Sequence, residues 1–173
     1  MRSIFVLVAA ASIIGAAAYR PQAAKQAAPA PAPVYVTKLP MGYRDYRLIN
    51  VAHEAGGLNS LGAMLGNDIA IKAFRMKTIP YPDGTIIVAL HFTHSPNDEN
   101  NKIFGQAQSF TPGKPTNTQI MIKDSKKYAA TGGWGFGHFN ADGTPPTAAF
   151  MGTCFPCHMR EKARDFVFTT YTP

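Results

Sequence analysis

Two cysteines and a histidine stand together in "GTCFPCHMREK", and the chain has no other thiols. Cys154 and Cys157 are three positions apart and His158 follows at once. A disulfide across C-x-x-C suits an oxidising compartment, but thioredoxin-type pairs sit near a βαβ pattern that this chain lacks. A structural zinc site needs a fourth ligand from elsewhere in the chain. Two unrelated free thiols account poorly for the spacing. Covalent haem attachment uses C-x-x-C-H as its signature and accounts for all three residues. On a helical turn, positions i and i+3 share a face, so both sulfurs can form thioethers with one haem edge. His158, at i+4 from Cys154, can then ligate the iron. Pro156 is tolerated because the first helical turn has no use for its missing N–H. The expected cofactor is haem c, held by Cys154 and Cys157, with His158 as proximal ligand.

Such chemistry needs an export route. Residues 1–18, "MRSIFVLVAAASIIGAAA", have a basic start, an apolar middle and small residues at the end, the layout of a cleaved secretory signal. The apolar run is shorter than the ~20 residues of a membrane-crossing helix, so no permanent span is expected. Residues 19–38 are rich in alanine and proline, too poor in large apolar groups to offset their ordering entropy, and read as an extended tether. Residues 39–173 then form one haem domain, and the expected location is the periplasm. The formal charge is +7, but the basic residues are scattered, without the dense stripe and aromatic platforms of a nucleic-acid module. Docking to an acidic redox partner suits this charge, because opposite charge speeds encounter.

The elements that must position the motif read as mainly β: an antiparallel sheet with two or three short helices, α+β in detail, and a haem-attachment helix near the C-terminus. "YRLINVAHE" (46–54) and "TIIVALHFTH" (85–94) are rich in β-formers and predict strands. Asn67 and Asp68 are good caps for a helix of about ten residues that puts Ile71 and Phe74 on one side. "SPNDENNK" (95–102) reads as polar loop, and "IFGQAQSF" and "TNTQIMIK" as strands separated by "TPGKP". "DSKKYAA" predicts a short helix, "GGWGFGHFN" a strand with Trp134, Phe136 and His138 on one face, and "RDFVFTTY" a last strand. The only methionine after His158 is Met159, which is adjacent to the ligand and cannot span the ring. An electron carrier with an N-terminal motif and a late methionine is a poor match, as is a four-helix haem bundle.

The ordered landmarks "GYRDYRLINVAHE", "LGNDIAIKAFR", "PYPDGTII", "ENNKIFG", "IKDSKKYAATGGWGF" and "CFPCHMREKARDFVFTTY" resemble the cytochrome P-460 family, which includes the β-type cytochromes c′. The resemblance covers about residues 40–173. It implies a mostly antiparallel β fold, covalent haem on Cys154 and Cys157, His158 as proximal ligand and a homodimer. It also implies either hydroxylamine oxidation or binding of nitric oxide at a five-coordinate haem. In the catalytic members a lysine on the strand after "DGT" is cross-linked to the haem, and here Ala89 stands at that place. An arginine that some members place over the haem falls in "LGAML", which offers Gly62 or Ala63. The resemblance therefore implies a module for a small gaseous or nitrogen-oxide ligand, and disfavours the oxidase unless Lys72 or Lys123 supplies the bond. A periplasmic electron-transfer role is the third reading.

Strand alternation puts Ile87, Ala89 and His91 on one face. His91 is then a distal ligand, a donor to bound ligand or a propionate partner, or else a rim histidine satisfied by polar neighbours. Trp134 and Phe136 are expected to pack around the haem, and Phe74 to be core. His53 and His94 carry no functional signal. Arg160, Lys162 and Arg164 either screen the propionates or form a solvated surface.

Overall fold

The computed structural model describes residues 35–172. The signal expected at 1–18 and the tether over 19–34 lie outside the described residues. Five strands form one antiparallel sheet in chain order: β1 (Arg47–Glu54), β2 (Ser60–Gly66), β3 (Ile86–Pro96), β4 (Phe110–Lys123) and β5 (Trp134–Asn140). The helices are short: α1 (Asp68–Met76), α2 (Asp98–Phe104), α3 (Ala148–Met151) and α4 (Cys154–His158). The mainly β architecture and the attachment helix near the C-terminus are as expected.

Side chains alternate across the sheet, and both faces are covered. On one face Val88 and Leu90 of β3 pack with Ile120, Phe139, Tyr128 and Val36. On the other, Ile87 joins Met121, Phe136, Phe166 and Val167, so the segment after α4 closes over this face. Each large apolar side chain buried this way contributes roughly 1.5–3 kcal/mol, which makes β3–β5 a rigid wall. Packing begins earlier than Leu39: the Val36 N–H donates to the Phe136 carbonyl at 2.6 Å, and Val36 is buried.

Helix α1 starts where the cap signal lies. The Asn67 side chain accepts from Ala70 N at 3.0 Å and also from Ile86 N at 3.2 Å, tying the helix start to β3. Ile71 and Phe74 are buried, and Phe74 is core as expected.

Several local expectations are corrected. "SPNDENNK" is mostly helix α2, started by the Asn97 cap on Asn100 N at 3.0 Å and ended by Gly105 in left-handed conformation. Its polar composition hid the caps, because α2 buries no residue. "IFGQAQSF" is not a strand, since Ile103 and Phe104 finish α2 and Phe110 alone belongs to β4. "TPGKP" does not separate neighbouring strands but lies inside β4. Its prolines face register shifts opposite Phe92 and His94, and β5 pairs only with the Asn117–Lys123 half, so their missing N–H groups cost the ladder little. "DSKKYAA" is a turn capped by Asp124, which accepts from Lys127 N at 2.9 Å, followed by a 3-10 turn at Ala129–Thr131. The last segment is likewise no strand. Asp165 (φ 51°) and Phe166 (φ 66°) are consecutive left-handed residues that turn the chain, and a single bond, Thr172 N to Ile49 O at 3.0 Å, joins it to β1. Sequence inspection also passed over β2, whose "SLGAMLG" is too small and glycine-rich to read as β.

Candidate functional site

Between the sheet and the C-terminal segment lies a cavity of about 340 Å³, within the usual range of ligand sites. Register sets its wall in rows. Ile87, Met121 and Phe136 are cross-strand neighbours and form an apolar row. Asn50, Met64, Ala89, Gln119 and His138 form the next. Ala52, Gly62 and His91 lie one row further, with Glu54 beyond Ala52 on β1. The wall therefore grades from apolar to polar along the strands.

At the apolar end stand Cys154 and His158, both lining the cavity from α4. Pro156 lies in the first turn of α4, where its missing N–H costs nothing. The His158 ring lies 4.7 Å from the Phe136 ring and 5.0 Å from that of Phe168. Its Nδ1 is 2.7 Å from the Phe166 carbonyl oxygen. A carbonyl only accepts, so Nδ1 carries the proton and the lone pair of Nε2 is left for a metal. Burial lowers the proton affinity of His158 below the ordinary histidine value, and the bond to Phe166 opposes this to a lesser degree. Burial also pushes the Cys154 thiol up, against the lowered value of redox C-x-x-C pairs. Cys157 is exposed, and no disulfide joins it to Cys154.

The acceptor for His158 is itself held. Asp165 precedes it and accepts from Lys123 Nζ at 2.8 and 2.9 Å and from Tyr81 N at 2.8 Å. The Phe166 ring lies so close over Gly132 that a Cβ there would overlap it. Two left-handed non-glycine residues cost roughly 1–2 kcal/mol each, so the turn persists only because its surroundings fix it.

The polar end holds a second buried histidine. His91 is 5 % exposed and its Nδ1 lies 3.7 Å from Glu54 Oε2, which also accepts from Ser60 Oγ at 3.2 Å. Burial lowers the proton affinity of His91, and Glu54 partly restores it. His138, edge-on to Phe150 at 4.8 Å, is lowered by burial first and then by His91. Two polar atoms of the lining residues, Asn50 Oδ1 and Thr169 Oγ1, are buried without a hydrogen-bond partner among the described residues.

Alternation is as expected: Ile87, Ala89 and His91 all line the cavity, with Phe136 and His138. Trp134 does not. It is fully buried in the core, 5.8 Å from the Tyr81 ring and beneath Lys123 Nζ, because it lies at the far end of β5. Neither Lys72 nor Lys123 lines the cavity: Lys72 is exposed on α1, and Lys123 is held by Asp165. Gly62 faces the His91 ring and Met64: a Cβ there would lie 3.5 Å from the ring and 3.0 Å from Met64 Cε. Arg160 and Lys162 are exposed, whereas Arg164 donates to the carbonyls of Phe168 and Thr169 at 3.0 and 3.1 Å and braces the cavity wall. His53 and His94 stack on each other at 4.1 Å, away from the cavity. Sequence reading missed Asn50, Glu54 and Thr169. The i, i+2, i+4 alternation of Asn50, Ala52 and Glu54 was the available signal for the first two.

These residues fit a haem. A free imidazole nitrogen and a cysteine share one apolar wall, and unpartnered polar atoms lie further along it. Among the described residues, no lysine or arginine lines the cavity. The family model for Cytochrome P460 matches residues 40–169. No curated protein matches the chain.

Proposed function

The chain belongs to the cytochrome P460 family, and from that premise we propose that it is an exported c-type haem protein that binds a small ligand such as nitric oxide at the iron. Cys154 and Cys157 would hold the haem and His158 would ligate the iron through Nε2. Bound there, haem supplies an iron site for a diatomic or nitrogen-oxide ligand. Phe136 and Phe168 pack against the His158 ring, and the Phe166 carbonyl holds the proton on Nδ1. The observation that carries this reading is Ala89 on the cavity wall with no lysine in the lining. Without a nucleophile there, the cross-link of the hydroxylamine-oxidising members cannot form, and the electronic character of the cofactor stays that of an ordinary haem c.

A second reading, hydroxylamine oxidation, is favoured by one feature. Glu54 and His91 place a carboxylate and an imidazole 3.7 Å apart on the wall, the group types that serve as general acid and base and that binding of a neutral gas does not require. Nitric oxide titration and hydroxylamine turnover on the same preparation separate the two. Tight nitric oxide binding, negligible turnover and an ordinary c-type spectrum support the first reading, and rapid turnover overturns it. Periplasmic location rests on residues 1–18, a homodimer on the family, and an acidic redox partner on the +7 charge; all three belong to the same proposal. Among the described residues, no helix is long and apolar enough to cross a membrane.

A further inference from the structure

Lys123 and Asp165, 42 positions apart, are the one ion pair among the described residues with both side chains buried. Replacing such a pair by apolar groups is often neutral for stability, so its presence is better explained by where it stands than by its strength. It stands one residue from the carbonyl that orients His158. Asp165 is fixed by Lys123 and by Tyr81 N, Lys123 is fixed by the Gly132 carbonyl at 3.0 Å, and Gly132 underlies the Phe166 ring. The left-handed turn at Asp165 and Phe166 is thus gripped on both sides, and it delivers the carbonyl to His158 Nδ1 at 2.7 Å.

We propose that the Lys123–Asp165 pair is a positioning device for His158: by holding the Asp165–Phe166 turn, it sets the ring orientation of the histidine and the donor strength of Nε2. This rests on His158 being the ligand of the iron. A pair that merely tied the C-terminal segment to the sheet would change stability and leave the iron untouched. A weaker Nδ1–H bond makes the imidazole a poorer donor, and outer hydrogen bonding of this kind is a recognised control on haem potential.

The test uses haem-loaded protein carrying Asp165→Asn, Lys123→Met, both together, or His158→Ala. Asparagine tolerates the left-handed conformation and keeps an acceptor for Tyr81 N. The double variant leaves no unpaired buried charge, so it keeps the test open if a single variant does not fold. The iron–histidine stretching line of the ferrous protein and the reduction potential are read at temperatures where circular dichroism is native. The expected result is a line moved to lower frequency and broadened, with a raised potential, in the Asp165 and Lys123 variants, and loss of the line in His158→Ala. A folded double variant with a lowered melting temperature but unchanged line and potential would overturn the proposal. An unchanged line in His158→Ala would instead overturn the assignment of the ligand on which it rests.

Discussion

His158 and His91 sit on opposite ends of one cavity, and burial lowers the proton affinity of each. Their partners differ. His158 donates to a backbone carbonyl at 2.7 Å, a group that cannot take up a proton, so its tautomer is fixed. His91 faces a carboxylate at 3.7 Å, beyond hydrogen-bond length, so this partner does not fix its tautomer. The first arrangement suits a permanent ligand, the second a pocket group that adjusts to what binds. Surroundings follow the same division, with Phe136 and Phe168 about His158 and Glu54 and His138 near His91.

The largest expected effect comes from removing the attachment at the His158 end. In Cys154→Ala with Cys157→Ala, acid–acetone should extract all the haem, whereas wild type retains it; haem release from wild type would contradict covalent attachment. His158→Ala removes the axial imidazole itself and should change the ligand affinity of the haem by more than the about 10–100-fold usual for loss of an outer-shell partner. His91→Ala should cost less than about tenfold, and a reversed order in ligand titrations would break the comparison. Phe136→Ala removes a ring buried beside His158 and should lower unfolding free energy by roughly 3–5 kcal/mol in denaturant titration. His138→Ala, at a half-buried position, should cost clearly less. Gly132→Ala needs a left-handed alanine and pushes into the Phe166 ring, so a loss of about 1–3 kcal/mol is expected. The smallest effect is on pH dependence. With folded-state proton affinities of His91 and His138 below the ordinary value of 6.5, the unfolded chain takes up protons first as pH falls. Stability should therefore decline from about pH 6.5 downward until the folded-state values are passed. His91→Gln should flatten some of that decline in melting temperature, and an unchanged slope would remove His91 from the account.

Legibility in the sequence followed how local each signal was. Cys154, Cys157 and His158 fall within five consecutive positions, so a motif alone placed them on one short helix. Ile87, Ala89 and His91 were placed on one face by alternation, which needs only the strand itself. Glu54 could not be paired with His91, because that needs the β1–β2–β3 register, and β2 was invisible among its small residues. Trp134 was misplaced because alternation gives a face but not a position along it, and Trp134 lies beyond the cavity in the core. The C-terminal turn was hidden for another reason. Asp165 and Phe166 take left-handed conformations that no local preference announces, imposed by Lys123, Tyr81 and Gly132 from distant regions of the chain.

The resonance Raman spectrum of the ferrous, haem-loaded protein tests the division of labour between the two histidines most directly. High-spin five-coordinate iron with one iron–histidine line is expected, retained in His91→Ala and lost in His158→Ala. Low-spin six-coordinate iron that becomes five-coordinate in His91→Ala would contradict it, making His91 a second axial ligand and the protein an electron carrier.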